Sequence, residues 1–160
     1  MTPQRIVWHH SAINAKRLQL DEIDAYHKTR DFPLSSLGFY VGYHYLIEYD
    51  GSIRQTRKET EIGAHDTGEN TNSIGICLAG DFTGQLPTTA QSVAAATLTG
   101  QIMKRWKLPV QRIEPHRWDD TTACPGDFLP DNWLIKTYLT QERSLYARLF
   151  WWLGEQTGLL

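Results

Sequence analysis

The order of short apolar runs and helix-spaced segments along this chain leaves few folds open to it. Arg5 to His9 is short, apolar and β-branched, which reads as a buried strand. Leu18 to Phe32 carries apolar residues at 20, 23 and 26–27, close to helical spacing. Asp21 and Glu22 suit the N-terminus of that helix, and Pro33 with the Ser-Ser-Leu-Gly run ends it. Val41 to Tyr49 reads as a strand, and Asp50-Gly51 followed by Ser52 to Thr56 completes a hairpin. Ser73 to Leu78 is a further strand, reached through the Gly- and Asn-containing loop 62–72. Thr88 to Lys107 is a helix that Thr88 or Thr89 can cap, with Leu98, Ile102 and Trp106 on one stripe. Arg112 and Ile113 begin a short strand, 117–130 is a loop, and the last thirty residues read as helical. This sequence of elements predicts an α/β (mixed α+β) domain: a single central mixed β-sheet flanked by helices.

The 160 residues suit one domain, 1–160, with a core over about 4–130 and a helical segment over about 131–160. The net charge of −2 gives no general attraction to nucleic acid or anionic lipid, so no nucleic-acid partner is expected. No window approaches the ~18 apolar residues of a membrane span, and the N-terminus shows no signal peptide. The expectation is synthesis in the cytoplasm, with any role outside it requiring lysis or another route of release. Near the C-terminus, Leu145, Tyr146, Leu149, Phe150, Trp152 and Leu153 form an apolar stripe. Packing against the core is the favoured reading. Membrane or partner contact, helped by Trp151-Trp152, is the alternative.

Three residues offer metal-binding chemistry. His9 ends the first strand, His116 follows the last, and Cys124 lies eight residues further on in a Cys-Pro-Gly loop. Imidazole and thiolate are ligands zinc favours, and three of them leave a fourth position open. Read singly, each has an ordinary alternative, His9 as a hydrogen-bonded core histidine and Cys124 as a loop cysteine without a role.

Four segments in order resemble the N-acetylmuramoyl-L-alanine amidase family that includes phage T7 lysozyme and the peptidoglycan recognition proteins. They are Ile6-Val7-Trp8-His9-His10-Ser11-Ala12, Val41-Gly42-Tyr43-His44-Tyr45-Leu46-Ile47, Asn72 to Phe82, and His116 through Cys124-Pro125-Gly126. The resemblance implies one zinc on His9, His116 and Cys124, with His10 turned to the opposite strand face. It implies Tyr43 and Thr122 beside the metal as hydrogen-bond donors to the reacting carbonyl. It places His65, in Gly63-Ala64-His65-Asp66, on a groove-lining loop, and offers Asn72 as a second substrate contact, although a turn role suits Asn72 better. His27 and His44 also match family positions and are expected to serve packing or to support the residues around the metal. A branch of the family carries a catalytic glutamate where this chain has Cys77, which then reads as a small core residue.

The implied activity is zinc-dependent hydrolysis of the bond between N-acetylmuramic acid and L-alanine in peptidoglycan, by a monomeric phage-type endolysin released through a holin. Two other classes compete with it. One is a non-catalytic peptidoglycan-binding protein, which would lack the cysteine ligand. The other is a regulatory interaction protein.

Overall fold

The computed structural model describes the backbone of residues 1–157 and the side chains of 1–145. Five strands form one sheet: β1 (Arg5–His10), β2 (Tyr45–Ile47), β3 (Ile53–Gln55), β4 (Ser73–Leu78) and β5 (Ile113–Pro115). Their order is β3-β2-β4-β1-β5, with β2 and β3 antiparallel and the other neighbours parallel. Three helices accompany them: α1 (Leu20–Thr29), α2 (Thr89–Trp106) and α3 (Trp133–Thr157).

β1 and β4 are buried along their whole length. Their apolar runs hardly alternate with polar residues because both faces of the sheet are covered. On one face Ile6, Trp8, Ile74, Ile76 and Leu78 pack with Leu98 and Ile102 of α2 and Leu134 of α3. On the other, Leu46, Cys77 and Ala79 meet Val41 and Ile23 of α1. Each fully buried aliphatic side chain of this kind contributes roughly 1.5–3 kcal/mol.

α2 begins as its sequence predicts. The Thr88 hydroxyl accepts from Gln91 N at 3.0 Å, and Gln91 Oε1 accepts from Thr88 N at 3.1 Å. This reciprocal capping box selects Thr88 over Thr89. The Asp50-Gly51 turn also forms, with Gly51 at φ +85°. An added Cβ there would lie 2.8 Å from the Ala90 oxygen.

Two expectations are corrected. The helix predicted over 18–32 is shorter, and its first N–H groups are met from elsewhere in the chain. Glu48, just past β2, accepts from Gln19 N at 2.7 Å and from Leu20 N at 3.0 Å. The strand predicted over 41–49 shrinks to Tyr45–Ile47, so Tyr43 precedes it. Asp24 Oδ1 takes the N–H groups of Tyr40 and Val41, at 2.6 and 3.1 Å, and His27 Nδ1 takes that of Gly42 at 3.0 Å. These donors are committed to α1, so no strand partner can pair with them. Of the C-terminal stripe only Leu145 has a described side chain, and it is exposed. Tyr146, Leu149, Phe150, Trp152 and Leu153 lie outside the described side chains.

Candidate metal centre

β1 and β5 are parallel neighbours with Trp8 opposite Pro115. The residue after each is a histidine, so the sheet register alone brings His9 and His116 together, with ring centroids 4.4 Å apart. Crevices beyond the carboxyl ends of parallel strands are the usual location of sites in such sheets.

The loop after β5 delivers Cys124. Arg117 donates to the carbonyls of Gly126 and Leu129 at 2.7 and 3.2 Å, drawing the loop closed. Gly126, at φ +103°, lies against the Phe82 backbone, where an added Cβ would sit 2.4 Å from a carbonyl carbon. Cys124 Sγ then accepts from His10 N at 3.4 Å and lies 3.8 Å from His9 Nδ1. One donor atom from each of His9, His116 and Cys124 falls within 4.8 Å of the other two.

A metal fits this arrangement. Nδ1 of His116 is buried without a hydrogen-bond partner, and Nε2 has only the Asp120 carboxyl beside it, at 3.4 Å. Such orphaned atoms are rare unless a ligand or ion completes them. His9 is almost fully buried, and its pKa lies well below the ordinary histidine value, first through burial and then through His65 and His116. It is therefore a neutral ring with a lone pair to give. Burial pushes the Cys124 thiol up to about 11 while the His10 N–H opposes the rise. A bound cation reverses that balance and holds the thiolate.

Tyr43 places its ring 5.1 Å from that of His9. Burial raises its pKa well above the usual phenol value, and Cys77 and Cys124 add to the rise. It is a phenol, and so a donor, at neutral pH. Cys77 is fully buried next to it in the core, as its small apolar character suggests. Thr122 Oγ1 accepts from Cys124 N at 3.1 Å and so shapes the cysteine's turn. His10 faces away from the centre, with Nδ1 accepting from Phe82 N at 3.2 Å.

His65 is buried, and its Nδ1 lies 3.1 Å from His9 Nε2. It also borders a cleft of about 330 Å³ shared with Tyr43, Phe32, Asn70, His116 and Asp120. Asn72 is not brought to the site. Its amide donates to Glu69 Oε2 at 2.9 Å, and its carbonyl accepts from Gln4 N at 2.7 Å, so it serves the turn before β4. Asn70 borders the cleft in its place, with Oδ1 accepting from His65 N and Asp66 N at 2.8 and 3.1 Å. A second cavity of about 460 Å³ also borders Tyr43 and His27, with Ser11, Ile13, Glu22 and Tyr26 in its lining.

Two carboxyl groups near the centre have no counterpart in the sequence expectations. Asp120 Oδ2 and Asp66 Oδ1 stand 3.4 and 3.9 Å from His116 Nε2. Burial and then Asp119 raise the Asp66 pKa to about 7. The guanidinium of buried Arg5 anchors the group, reaching Asp66, Glu69, Glu114 and Asp119 at 2.5–3.4 Å. Asp66 directly follows His65 in the chain, which was the one sequence signal available for it.

Residues 1–127 match the family described as N-acetylmuramoyl-L-alanine amidase. Peptidoglycan-recognition protein SC2 of Drosophila melanogaster is 36% identical over 128 residues, covering 75% of this chain and 66% of that protein. The endolysin of Enterobacteria phage T3 is 30% identical over 149 residues, covering 89% of this chain and 93% of its own length. Among solved structures, the N-acetylmuramoyl-L-alanine amidase LysC from Clostridium intestinale URNW superposes with a TM-score of 0.75 at 27% identity, over 89% of this chain and 87% of that one. With the family match spanning most of its length and a near-full-length relative beside it, the chain belongs to the N-acetylmuramoyl-L-alanine amidase family.

Proposed function

We propose that this chain is a zinc-dependent amidase that hydrolyses the bond between the lactyl group of N-acetylmuramic acid and L-alanine in peptidoglycan. The observation that carries the reading is the convergence of His9, His116 and Cys124, with His116 Nδ1 orphaned, beside a cleft that His116 and Tyr43 border. His9, His116 and Cys124 would hold one zinc, which lowers the pKa of a water to about 7 and polarises a carbonyl.

The chain's own residues do the rest. Tyr43, kept protonated by burial, donates to the carbonyl oxygen as negative charge develops on it. Thr122 holds the Cys124 turn, and its hydroxyl would be a second donor to the carbonyl oxygen. The His10 N–H bonds to the Cys124 sulfur and tempers its charge. The two cavities that Tyr43 borders give a glycan-linked peptide room beside the phenol.

The endolysin relative supports a role in phage lysis; in that role the protein would be made in the cytoplasm and would reach the wall through a holin. Among the described residues no helix is long and apolar enough to cross a membrane. The recognition-protein relative raises the alternative of binding without cleavage. The presence of both Cys124 and Tyr43 favours catalysis.

Digestion of purified cell wall tests this reading. Free L-alanine N-termini should appear without new reducing sugar ends. New reducing ends would mean a glycosidase, and binding without any new termini would mean a recognition protein.

A further inference from the structure

His9 can serve the centre only in one of its two neutral forms. Its Nδ1 faces the Cys124 sulfur at 3.8 Å, and its Nε2 faces His65 Nδ1 at 3.1 Å. A proton on Nδ1 would remove the lone pair on the side where Cys124 and His116 converge. We propose that His65 is a positioning residue that holds His9 in the Nε2-protonated form, so that its Nδ1 lone pair is presented to the metal. The inference rests on the zinc reading above.

In this arrangement His9 Nε2–H donates to the bare Nδ1 of His65. His65 then carries its own proton on Nε2. The acceptor has to be immobile to select one form of its neighbour, and backbone and packing contacts hold His65. Its backbone N–H is tied to Asn70 Oδ1 at 2.8 Å. His44 packs edge-on against the ring with centroids 5.5 Å apart. Gly63 and Gly75 form the walls of its slot. An added Cβ at either would lie 2.5 Å from His65 Cδ2, closer than real Cβ atoms approach.

The slot also accounts for Gly75. A glycine inside a fully buried strand weakens it, and often marks a point where another group must come close. Here the group is the His65 ring, inserted over β4 from the loop that precedes it. The same ring explains why His65 borders the cleft and yet is nearly closed off from solvent.

A histidine in this role has an electrostatic consequence. Ligand histidines most often donate their second N–H to a carboxylate or a backbone carbonyl. A carboxylate behind His9 would add a second negative charge to a centre that already contains the Cys124 thiolate. A histidine that accepts through Nδ1 and keeps its one ring proton on Nε2 is a neutral imidazole. A neutral acceptor fixes the ring and leaves the charge at the metal undiminished.

The tautomer is read on the metal-free protein by long-range proton–nitrogen NMR of the histidine rings. Zinc affinity is read separately by competition with a chelator. Wild type should show His9 protonated on Nε2. His65→Ala should show a mixture of both forms and bind zinc about 10–100-fold more weakly. His65→Asn, whose Oδ1 can accept in place of Nδ1, should recover most of that loss. Gly75→Ala, which touches no metal ligand, should weaken zinc binding in the same direction by displacing the His65 ring. A wild-type His9 protonated on Nδ1 overturns the proposal, as does wild-type zinc affinity in His65→Ala. Should His65→Ala fail to fold, the wild-type tautomer and the His65→Asn affinity still decide. A wild type that binds no zinc would sink the amidase reading, whereas zinc binding indifferent to His65 would sink only this inference.

Discussion

Replacing His44 by asparagine should spare the protein about 2 kcal/mol of the stability that it otherwise loses between pH 7.5 and pH 5. His44 is fully buried and uses both ring nitrogens. Nδ1 accepts from Gly75 N at 3.0 Å, and Nε2 donates to the Glu61 carbonyl at 3.0 Å. A second proton would have to go on Nδ1, directly against the Gly75 N–H. Burial is the largest cause of the resulting fall in pKa, from 6.5 to about 4, with Arg57 adding to it and the Glu61 carbonyl opposing it. The folded pKa therefore lies below the unfolded one. The stabilisation is fully present above pH 6.5 and is lost as pH falls towards 4, because the unfolded chain binds the proton first. At pH 5 the unfolded imidazole is almost wholly protonated and the folded one is mostly neutral, which amounts to about 2 kcal/mol from two-state linkage. Asparagine retains an acceptor for Gly75 N and has no proton to gain. The assay is urea unfolding of metal-free protein at both pH values, so that zinc binding does not enter. The reasoning is refuted if His44→Asn loses as much stability as wild type, or if the His44 ring titrates near 6.5 in the folded protein. His27, brought to about 4 by burial and accepting from Gly42 N, should show the same sign.

Two further substitutions separate stability from catalysis. Thr88→Ala removes the acceptor for Gln91 N and should cost about 1 kcal/mol in urea unfolding, and an unchanged midpoint would mean that the capping box contributes nothing. Tyr43→Phe should keep its zinc and lower kcat by about 10²–10³ with little change in KM. A variant as fast as wild type would remove Tyr43 from the reaction.

Much of the fold could be read from local signals. The apolar runs at Ile6–Trp8 and Ile74–Leu78, the Asp50-Gly51 turn and the Thr88 cap each declare themselves within a few residues. The candidate centre was legible for a different reason: its residues fall at the ends of strands and in one glycine-closed loop, in the order of a known family. What the sequence left open depends on contacts between distant segments. Tyr43 was placed in a strand because nothing local shows that Asp24 and His27 take the N–H groups before it. The support of α1 by Glu48 spans 28–29 residues. The His9–His65 contact spans 56. Asn70 and Asn72 lie two residues apart in one loop, and only the fold shows that the first borders the cleft while the second makes the turn. Asp66 meets His116 across 50 residues, whereas Asp120, four residues from His116, was within local reach.

The most direct test of the central claim is metal analysis of purified protein, wild type beside His116→Ala, with thermal unfolding to show that both are folded. His116 Nδ1 has no protein partner and Nε2 has only the half-exposed Asp120 carboxyl, so its removal should cost the fold little and the metal everything. The account predicts about one zinc per wild-type chain and essentially none in the variant. A wild type without zinc, or a folded His116→Ala that keeps its zinc, would contradict it.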